Sequence, residues 1–382
     1  MSIAVKPGYK QTEVGVIPKD WEVKTLGKFV SLQRGHDLTE QDRKQGNIPV
    51  MGSAGQNGFH DTAIVKGPGI VIGRSGASFG QAHYCEVDFW PHNTALYVTD
   101  LNGNDPLYAF YFLRALDFTR YNSGGAQQSL NRNFISPIPI GVPPTAEQRA
   151  IAEALSDVDA LIESLEQLLG KKRQVKQGAM QKLLTGKKRL PGFNGEWEEK
   201  KLGDIAEIQK GELITEQRAV PGRIPVIAGG KKPSYFHNLA NRRGKTITIS
   251  GSGASAGYVA LYGIPIFASD CSTIGEGERY SVEFIYFVLL LNQSAIYKAQ
   301  TGGAQPHIHP SDLRPLSIAF PKTKAEQTAI AAVLSDMDAG IETLETKLAK
   351  SRQIKQGMMQ ELLTGKTRLM KKVNTEVNNA KP

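Results

Sequence analysis

Cysteine is almost missing from this chain of 382 residues: Cys85 and Cys271 are the only two. Two thiols cannot build a disulfide framework or a four-ligand zinc site. Long apolar runs are missing too. The longest, Phe284 to Leu291, has eight residues, well short of a bilayer span. The opening residues, Met1-Ser-Ile-Ala-Val-Lys, hold no signal-peptide core. What is present is ordinary for a globular chain, with 40% apolar and 22% charged residues. The expectation is a soluble, cytoplasmic protein without a membrane segment, long enough for two or three domains.

Acidic residues are outnumbered by basic ones, 37 to 46, for a net charge of +9, which points to an acidic partner. The excess is not spread evenly. Residues 146–190 carry +3 and residues 321–382 carry +4, whereas residues 1–145 and 191–320 carry +1 each. The two basic segments are copies of one another. Ala146–Leu190 aligns without a gap on Ala325–Leu369 at an offset of 179, with 31 of 45 positions identical. Glu147-Gln148 recurs as Glu326-Gln327, and Leu183-Leu184-Thr185-Gly186-Lys187 as Leu362-Leu363-Thr364-Gly365-Lys366. Upstream the likeness thins to scattered matches. Trp21-Glu22 and Leu26-Gly27 pair with Trp197-Glu198 and Leu202-Gly203, and Gly76-Ala77-Ser78 with Gly253-Ala254-Ser255. A period this long is a duplicated domain rather than a solenoid unit. The implied order is a variable part (1–145), a shared segment (146–190), a second variable part (191–320) and a second shared segment with a basic tail (321–382).

Each shared segment reads as a long helix. Ile151, Leu155, Val158, Ile162, Leu165 and Leu169 are spaced 4-3-4-3-4, a heptad seam, and the copy repeats it with Ile330, Leu334, Met337, Ile341, Leu344 and Leu348. Thr145-x-x-Gln148 has the form of a capping box, and Gly186 and Gly365 stand where the helices would stop. About 40 residues make a rod of roughly 60 Å. Its first half is acidic (Glu147, Glu153, Asp157, Asp159) and its second half basic (Lys171, Lys172, Arg173, Lys176). Beyond complementing the helix dipole, this gradient favours antiparallel pairing of the two helices within one chain. A parallel coiled coil with a second chain is the alternative.

The variable parts read as mixed α/β. Ile70-Val-Ile-Gly, Lys245-Thr-Ile-Thr-Ile-Ser and Tyr258-Val-Ala-Leu-Tyr have strand composition, and one amphipathic helix per repeat is expected near 106–121 and 282–299. Gly76-Ala-Ser78-Phe-Gly80 and Gly253-Ala-Ser255-Ala-Gly257 fit the nucleophile-elbow pattern G-x-S-x-G. That elbow needs a helix after the serine, and both sequences continue as strand, so a tight hairpin turn is the better reading. His307-x-His309 has no Cys or carboxylate cluster to complete a metal site. The chain also lacks a Lys-Ser/Thr phosphate loop and the Asn/Asp-Pro-Pro-aromatic signature of amino-methylating DNA methyltransferases. Binding, not catalysis, is the expected activity.

Two diverged halves, each closed by Pro143…Glu147-Gln148-Arg149-Ala150-Ile151-Ala152 or Lys322…Glu326-Gln327-Thr328-Ala329-Ile330-Ala331 and a long helix ending Leu-Leu-Thr-Gly-Lys, resemble the specificity subunit of type I restriction–modification enzymes. The likeness spans nearly the whole chain. It implies two mixed α/β target-recognition domains separated by two antiparallel helices, arranged with pseudo-two-fold symmetry. It further implies double-stranded DNA, two modification (methyltransferase) subunits and restriction (nuclease/translocase) subunits as partners. The chain would carry no cofactor itself. S-adenosylmethionine would belong to the modification subunit, and ATP and Mg to the restriction subunit. The seam residues would then form the spacer and help dock the partners.

Because the helices are far more alike than the variable parts, the two halves should read different bases. The variable parts are nearly neutral, so contacts must come from local clusters. Candidates in the first half are Arg74, Ser75, Gln127, Gln128, Asn131 and Arg132; in the second they are Lys231, Lys232, Ser252, Gln305, His307 and His309. Arg and Lys suit guanine edges or phosphates, and Gln and Asn suit adenine. A helical scaffold that binds no DNA, and a hydrolase using Ser78 or Ser255, are the competing readings.

Overall fold

The repeat governs how the chain folds. The computed structural model describes residues 5–124, 128–302 and 305–369. Two compact units form, one from residues up to 164 together with those from 348 onward, the other from residues 165–347.

In the first unit, Ser31–Arg34 (β1), Gly69–Gly73 (β2), Ala82–Cys85 (β3) and Ala95–Asp100 (β4) make an antiparallel sheet in the order β1-β4-β2-β3. β2, Gly-Ile-Val-Ile-Gly, is buried along its whole length, as an interior strand without polar positions must be. Beside it lies a three-stranded sheet of Ile48–Gly52, Gly55–His60 and Trp90–Pro91. A ribbon pairs Glu22–Thr25 with Pro139–Val142, joining the start of the variable part to its end. The second unit repeats all three. Gln209–Lys210 (β5), Thr246–Ser250 (β6), Val259–Tyr262 (β7) and Cys271–Ile274 (β8) run in the order β5-β8-β6-β7. Glu198–Lys201 pairs with Ser317–Phe320, and Ile224–Ile227 sits between Tyr235–His237 and Phe267–Ala268. Scattered identities conceal one topology.

Each sheet is covered by a helix. Pro106–Ala115 (α1) starts on Asp105, whose carboxylate accepts from the backbone N–H of Leu107 and Tyr108, an N-cap in the favoured form. It buries Tyr108 through Leu113 without a break. The expected helix over 106–121 stops early, because Leu116 turns extended and Asp117 accepts from the backbone and hydroxyl of Thr119, holding a separate 3-10 turn.

Thr145–Leu183 (α2) and, in the other repeat, Lys324–Leu362 are continuous helices of 39 residues each. Between them lie Val282–Leu291 (α3) and Gln293–Lys298 (α4), where one helix over 282–299 was expected. Asn292 stands at the break with φ of −94° and ψ of 14°, and both its backbone N–H (3.0 Å) and its side-chain amide (2.9 Å) donate to the Val288 carbonyl. Lys324–Leu362 is α5. Gly186 and Gly365 follow α2 and α5 with φ of +69° and +72°, the left-handed conformation that ends a helix cheaply only at glycine.

The start of one long helix lies beside the end of the other in each unit. In the first, Lys355 of α5 pairs with Asp159 of α2, its ammonium stands 5.5 Å from the centre of the Tyr111 ring, and Tyr111 donates to Asp159 at 2.8 Å. In the second, Lys176 of α2 pairs with Asp338 of α5 over the Phe287 ring, and Arg173 meets Glu345. Acidic half meets basic half, so the helices pack antiparallel, as their charge gradient implies.

The ends of the heptad seam do more than join helices. Ile151 and Leu155 share the first core with Leu26, Tyr108, Leu362 and Leu363, and Ile330 and Leu334 share the second with Leu202, Met180, Leu183 and Leu184. Leu165, Leu169, Ile341 and Leu348 are buried, and Val158, Ile162, Met337 and Leu344 half-buried. The seam at its ends is therefore domain core.

The capping box expected at Thr145-x-x-Gln148 does not form. Gln148 is buried, and it accepts from the Asp105 backbone N–H at 2.9 Å while donating to Asn104 Oδ1 and the Pro143 carbonyl. Gln327 likewise accepts from the Ser281 N–H and donates to the Pro321 carbonyl. Each Gln thus ties the start of a long helix to the start of α1 or α3. Its neighbour binds the other way: Glu147 accepts from the Trp21 indole and from Nε and Nη2 of Arg368, and Glu326 from Trp197 and Arg189. The recurring Glu-Gln pair is a clasp. Among the described residues no helix is long and apolar enough to cross a membrane.

Candidate nucleic-acid interface

Backbone contacts set the sites. At the end of β2 the Arg74 N–H donates to the Thr94 carbonyl at 2.9 Å, and the Arg74 carbonyl accepts from Leu130 at 2.8 Å. In the second unit Gly251 makes the same two bonds with Asp270 (3.0 Å) and Ile308 (2.9 Å). Ser75 bridges Ser129, and Ser252 bridges His307. The two units therefore present matching backbone positions with different side chains upon them.

In the first unit this junction opens into a concavity of about 630 Å³, lined by Gln33, Arg34, His36, Arg74, Asn131 and Arg132 among others. Three of the expected residues, Arg74, Asn131 and Arg132, are thus brought together. Two of them also hold the loop. Arg132 donates to the Leu32 carbonyl at 3.2 Å, and Asn131 caps a short helix by accepting from the Asn133 N–H. Both residues are exposed at the concavity, and among the described residues no further partner holds the Asn131 amide protons. Ser75 sits on the adjoining turn, its carbonyl accepting from Ser53 Oγ at 2.6 Å. Gln128 is exposed beside it, and Gln127 lies outside the described residues.

Gln33 and Arg34 were not foreseen. They precede Gly35, where an added Cβ would stand 2.2 Å from the His92 carbonyl oxygen; Gly211 is equally confined, 2.1 Å from that of Ser269. Only glycine fits such an approach. The sequence carries a sign of it, since Gln33-Arg34-Gly35 recurs as Gln209-Lys210-Gly211.

In the second unit Ser252, His307 and His309 meet, with the two imidazoles stacked at 6.2 Å between centroids. The His309 backbone N–H donates to Asp312, fixing the start of a short helix. Gln305 is exposed on the same segment. Lys231 and Lys232 are exposed on the loop after Ile224–Ile227, with the Lys231 ammonium 5.6 Å from the Tyr258 ring centre. Asp270, also unforeseen, accepts from Ser252 Oγ.

Ser78 and Ser255 lie in 3-10 turns that join β2 to β3 and β6 to β7, so each serine leads into a strand and not a helix. The Cys271 thiol is pushed up to about 12 by burial, and that of Cys85 is raised for the same reason. Among the described residues no three His, Cys, Asp or Glu side chains group as metal ligands would.

Duplicated sheets carry matching loop-built junctions, and the one in the first unit is a basic concavity with Arg34, Arg74 and Arg132 on its wall. Residues 18–176 and 194–353 each match the type I restriction modification DNA specificity domain, and the chain belongs to that family. A Mycoplasma pneumoniae chain assigned as a type I specificity subunit, S.MpnORF638P, is 24% identical over 373 residues, covering 90% of this chain and 96% of its own length. The MjaVIII specificity subunit of Methanocaldococcus jannaschii is 22% identical over 401 residues, covering 92% and 94%. In fold, the crystal structure of the type I restriction-modification S subunit from M. genitalium is similar, with a TM-score of 0.70 at 18% identity over 90% of this chain and 96% of that one.

Proposed function

We propose that this chain is the non-catalytic specificity subunit of a type I restriction–modification enzyme, each unit reading one half of an asymmetric, bipartite duplex target. The observation that carries this reading is the matched junction with unmatched side chains: Arg74, Asn131 and Arg132 in the first unit, Gly251, His309 and Pro310 at the same places in the second. A shared scaffold presenting different donors and acceptors is what two different half-sites require. Modification subunits carrying S-adenosylmethionine, and restriction subunits using ATP and Mg, would assemble on the helices. Filter binding of the assembled complex to random duplexes tests the reading; no binding would leave a scaffold, and binding without sequence preference would contradict two specific readers.

Replacing Arg74 with Ala lowers discrimination at one or two base pairs of a single half-site by about 1–3 kcal/mol per contact, measured by competition binding. Equal loss at both half-sites would mean that Arg74 serves folding or phosphate contact instead. The two helical segments are near-copies, so they offer equivalent docking surfaces and two modification subunits bind per chain. Native mass spectrometry showing a saturated one-to-one complex would contradict this.

A further inference from the structure

Asp270 is out of place at a surface that meets a polyanion. It occupies the backbone position that Thr94 holds in the first unit, where the Thr94 hydroxyl is already used, accepting from the Ser53 N–H at 3.2 Å and lying 3.0 Å from His92 Nδ1. Asp270 is held on one side only: Ser252 Oγ donates to Oδ2. Among the described residues neither Lys nor Arg pairs with it, and no donor is bonded to Oδ1. The flanking positions keep the carboxylate open. Gly251 stands where the first unit has Arg74, and an added Cβ there would lie 2.8 Å from Oδ1; one at Gly229 would lie 3.5 Å from Oδ2. A side chain at either place would crowd or cover the carboxylate.

An uncompensated carboxylate repels phosphate, so its place on a DNA-reading junction is favourable only where it meets a hydrogen-bond donor. In the major groove of a duplex the donors are exocyclic amino groups, N4 of cytosine and N6 of adenine. We infer that Asp270, oriented by Ser252, is a specificity residue of the second unit that accepts from the exocyclic amino group of one cytosine or adenine. The first unit, with Arg74 where the second has Gly251, offers a donor to acceptor edges instead. This inference rests on the DNA-reading function proposed above.

The test uses the chain assembled with its modification subunits, after its target has been mapped by methylation sequencing. Each cytosine in the second unit's half-site is replaced in turn by 2-pyrimidinone and each adenine by purine, which lack only the amino group. At one position the native complex binds roughly tenfold to a hundredfold more weakly, and the base at that position distinguishes cytosine from adenine. The Asp270→Ala complex loses that sensitivity there and keeps it everywhere else. A merely structural role would lower binding without changing which amino groups matter, so an Asp270→Ala complex as sensitive as the native one at every position overturns the inference. Asp270→Asn keeps the side-chain shape should the alanine variant fail to fold. Loss of binding at both half-sites with this variant also overturns the inference. A native complex with no sequence preference overturns the proposed function with it, whereas sequence-specific binding in which no position couples to Asp270 overturns the inference alone.

Discussion

Exchanging residues 21–145 for the matching stretch of a relative changes one half of the recognised sequence and leaves the other half as it was. The ribbon between Glu22–Thr25 and Pro139–Val142 brings the two junctions of this segment side by side, so an incoming domain that keeps the ribbon can close on itself. Among the side-chain bonds that cross its ends, those of Trp21 to Glu147, of Asn104, Asp105 and Pro143 to Gln148, and of Tyr111 to Asp159 must travel with it or be matched. A wrong base pair costs about 1–3 kcal/mol, so two altered pairs weaken binding to the original target by roughly thirtyfold to twenty-five-thousandfold. Methylation mapping reads the outcome directly. A chimera that alters both half-sites, or neither, contradicts the two-reader architecture.

Arg368→Ala destabilises the first unit by about 3–5 kcal/mol, the range for breaking a buried pair by removing one partner. The Glu147 side chain is 1% exposed and meets Arg368 through two bonds of 2.7 and 2.8 Å. Without the guanidinium, its charge keeps only the Trp21 indole, at 2.9 Å. Arg368 also grips Asp20 with two bonds and holds that carboxyl below its ordinary value. Adding Glu147→Gln to Arg368→Ala restores part of the loss, because a neutral amide still accepts from the indole and leaves no buried charge. The second unit, with its own Arg189–Glu326 pair, keeps its stability. Urea unfolding monitored by fluorescence measures both units; a loss under about 1 kcal/mol would mean that water replaces the guanidinium without penalty.

Pattern made the helices and their pairing legible. Heptad spacing, an acidic start and a basic finish point to the contacts that Lys355 makes with Asp159 and Lys176 with Asp338. The turns around Ser78 and Ser255 were legible as well, because the strand composition just past each serine is local information. Long-range satisfaction was not. Gln148 has the spacing of a capping residue, yet its partners Asn104 and Asp105 lie more than 40 positions earlier. Asn292 follows an apolar helical run, and nothing in the run's period marks the two hydrogen bonds it makes to the Val288 carbonyl, where the helix breaks. At the candidate sites, Arg74, Asn131 and Arg132 could be picked out by residue type and loop composition. Arg34 and Asp270 could not, since they reach the junction through strand pairing, and only the repeat of Gln33-Arg34-Gly35 hinted at the first.

The two units differ in when they can be completed. The second is a continuous stretch, residues 165–347, so every side chain of its core has left the ribosome once that stretch has emerged. The first needs Leu362 and Leu363 for its core and Arg368 for its clasp. At about 5–20 residues per second, the portion ending at residue 164 waits roughly 10–40 s for them. Through that interval Ile151 and Leu155 lack Leu362 and Leu363, and the Glu147 carboxylate lacks Arg368. The unit that comes first in the sequence is thus the last to close, and a chain released between residues 347 and 362 holds a finished second unit and an open first one.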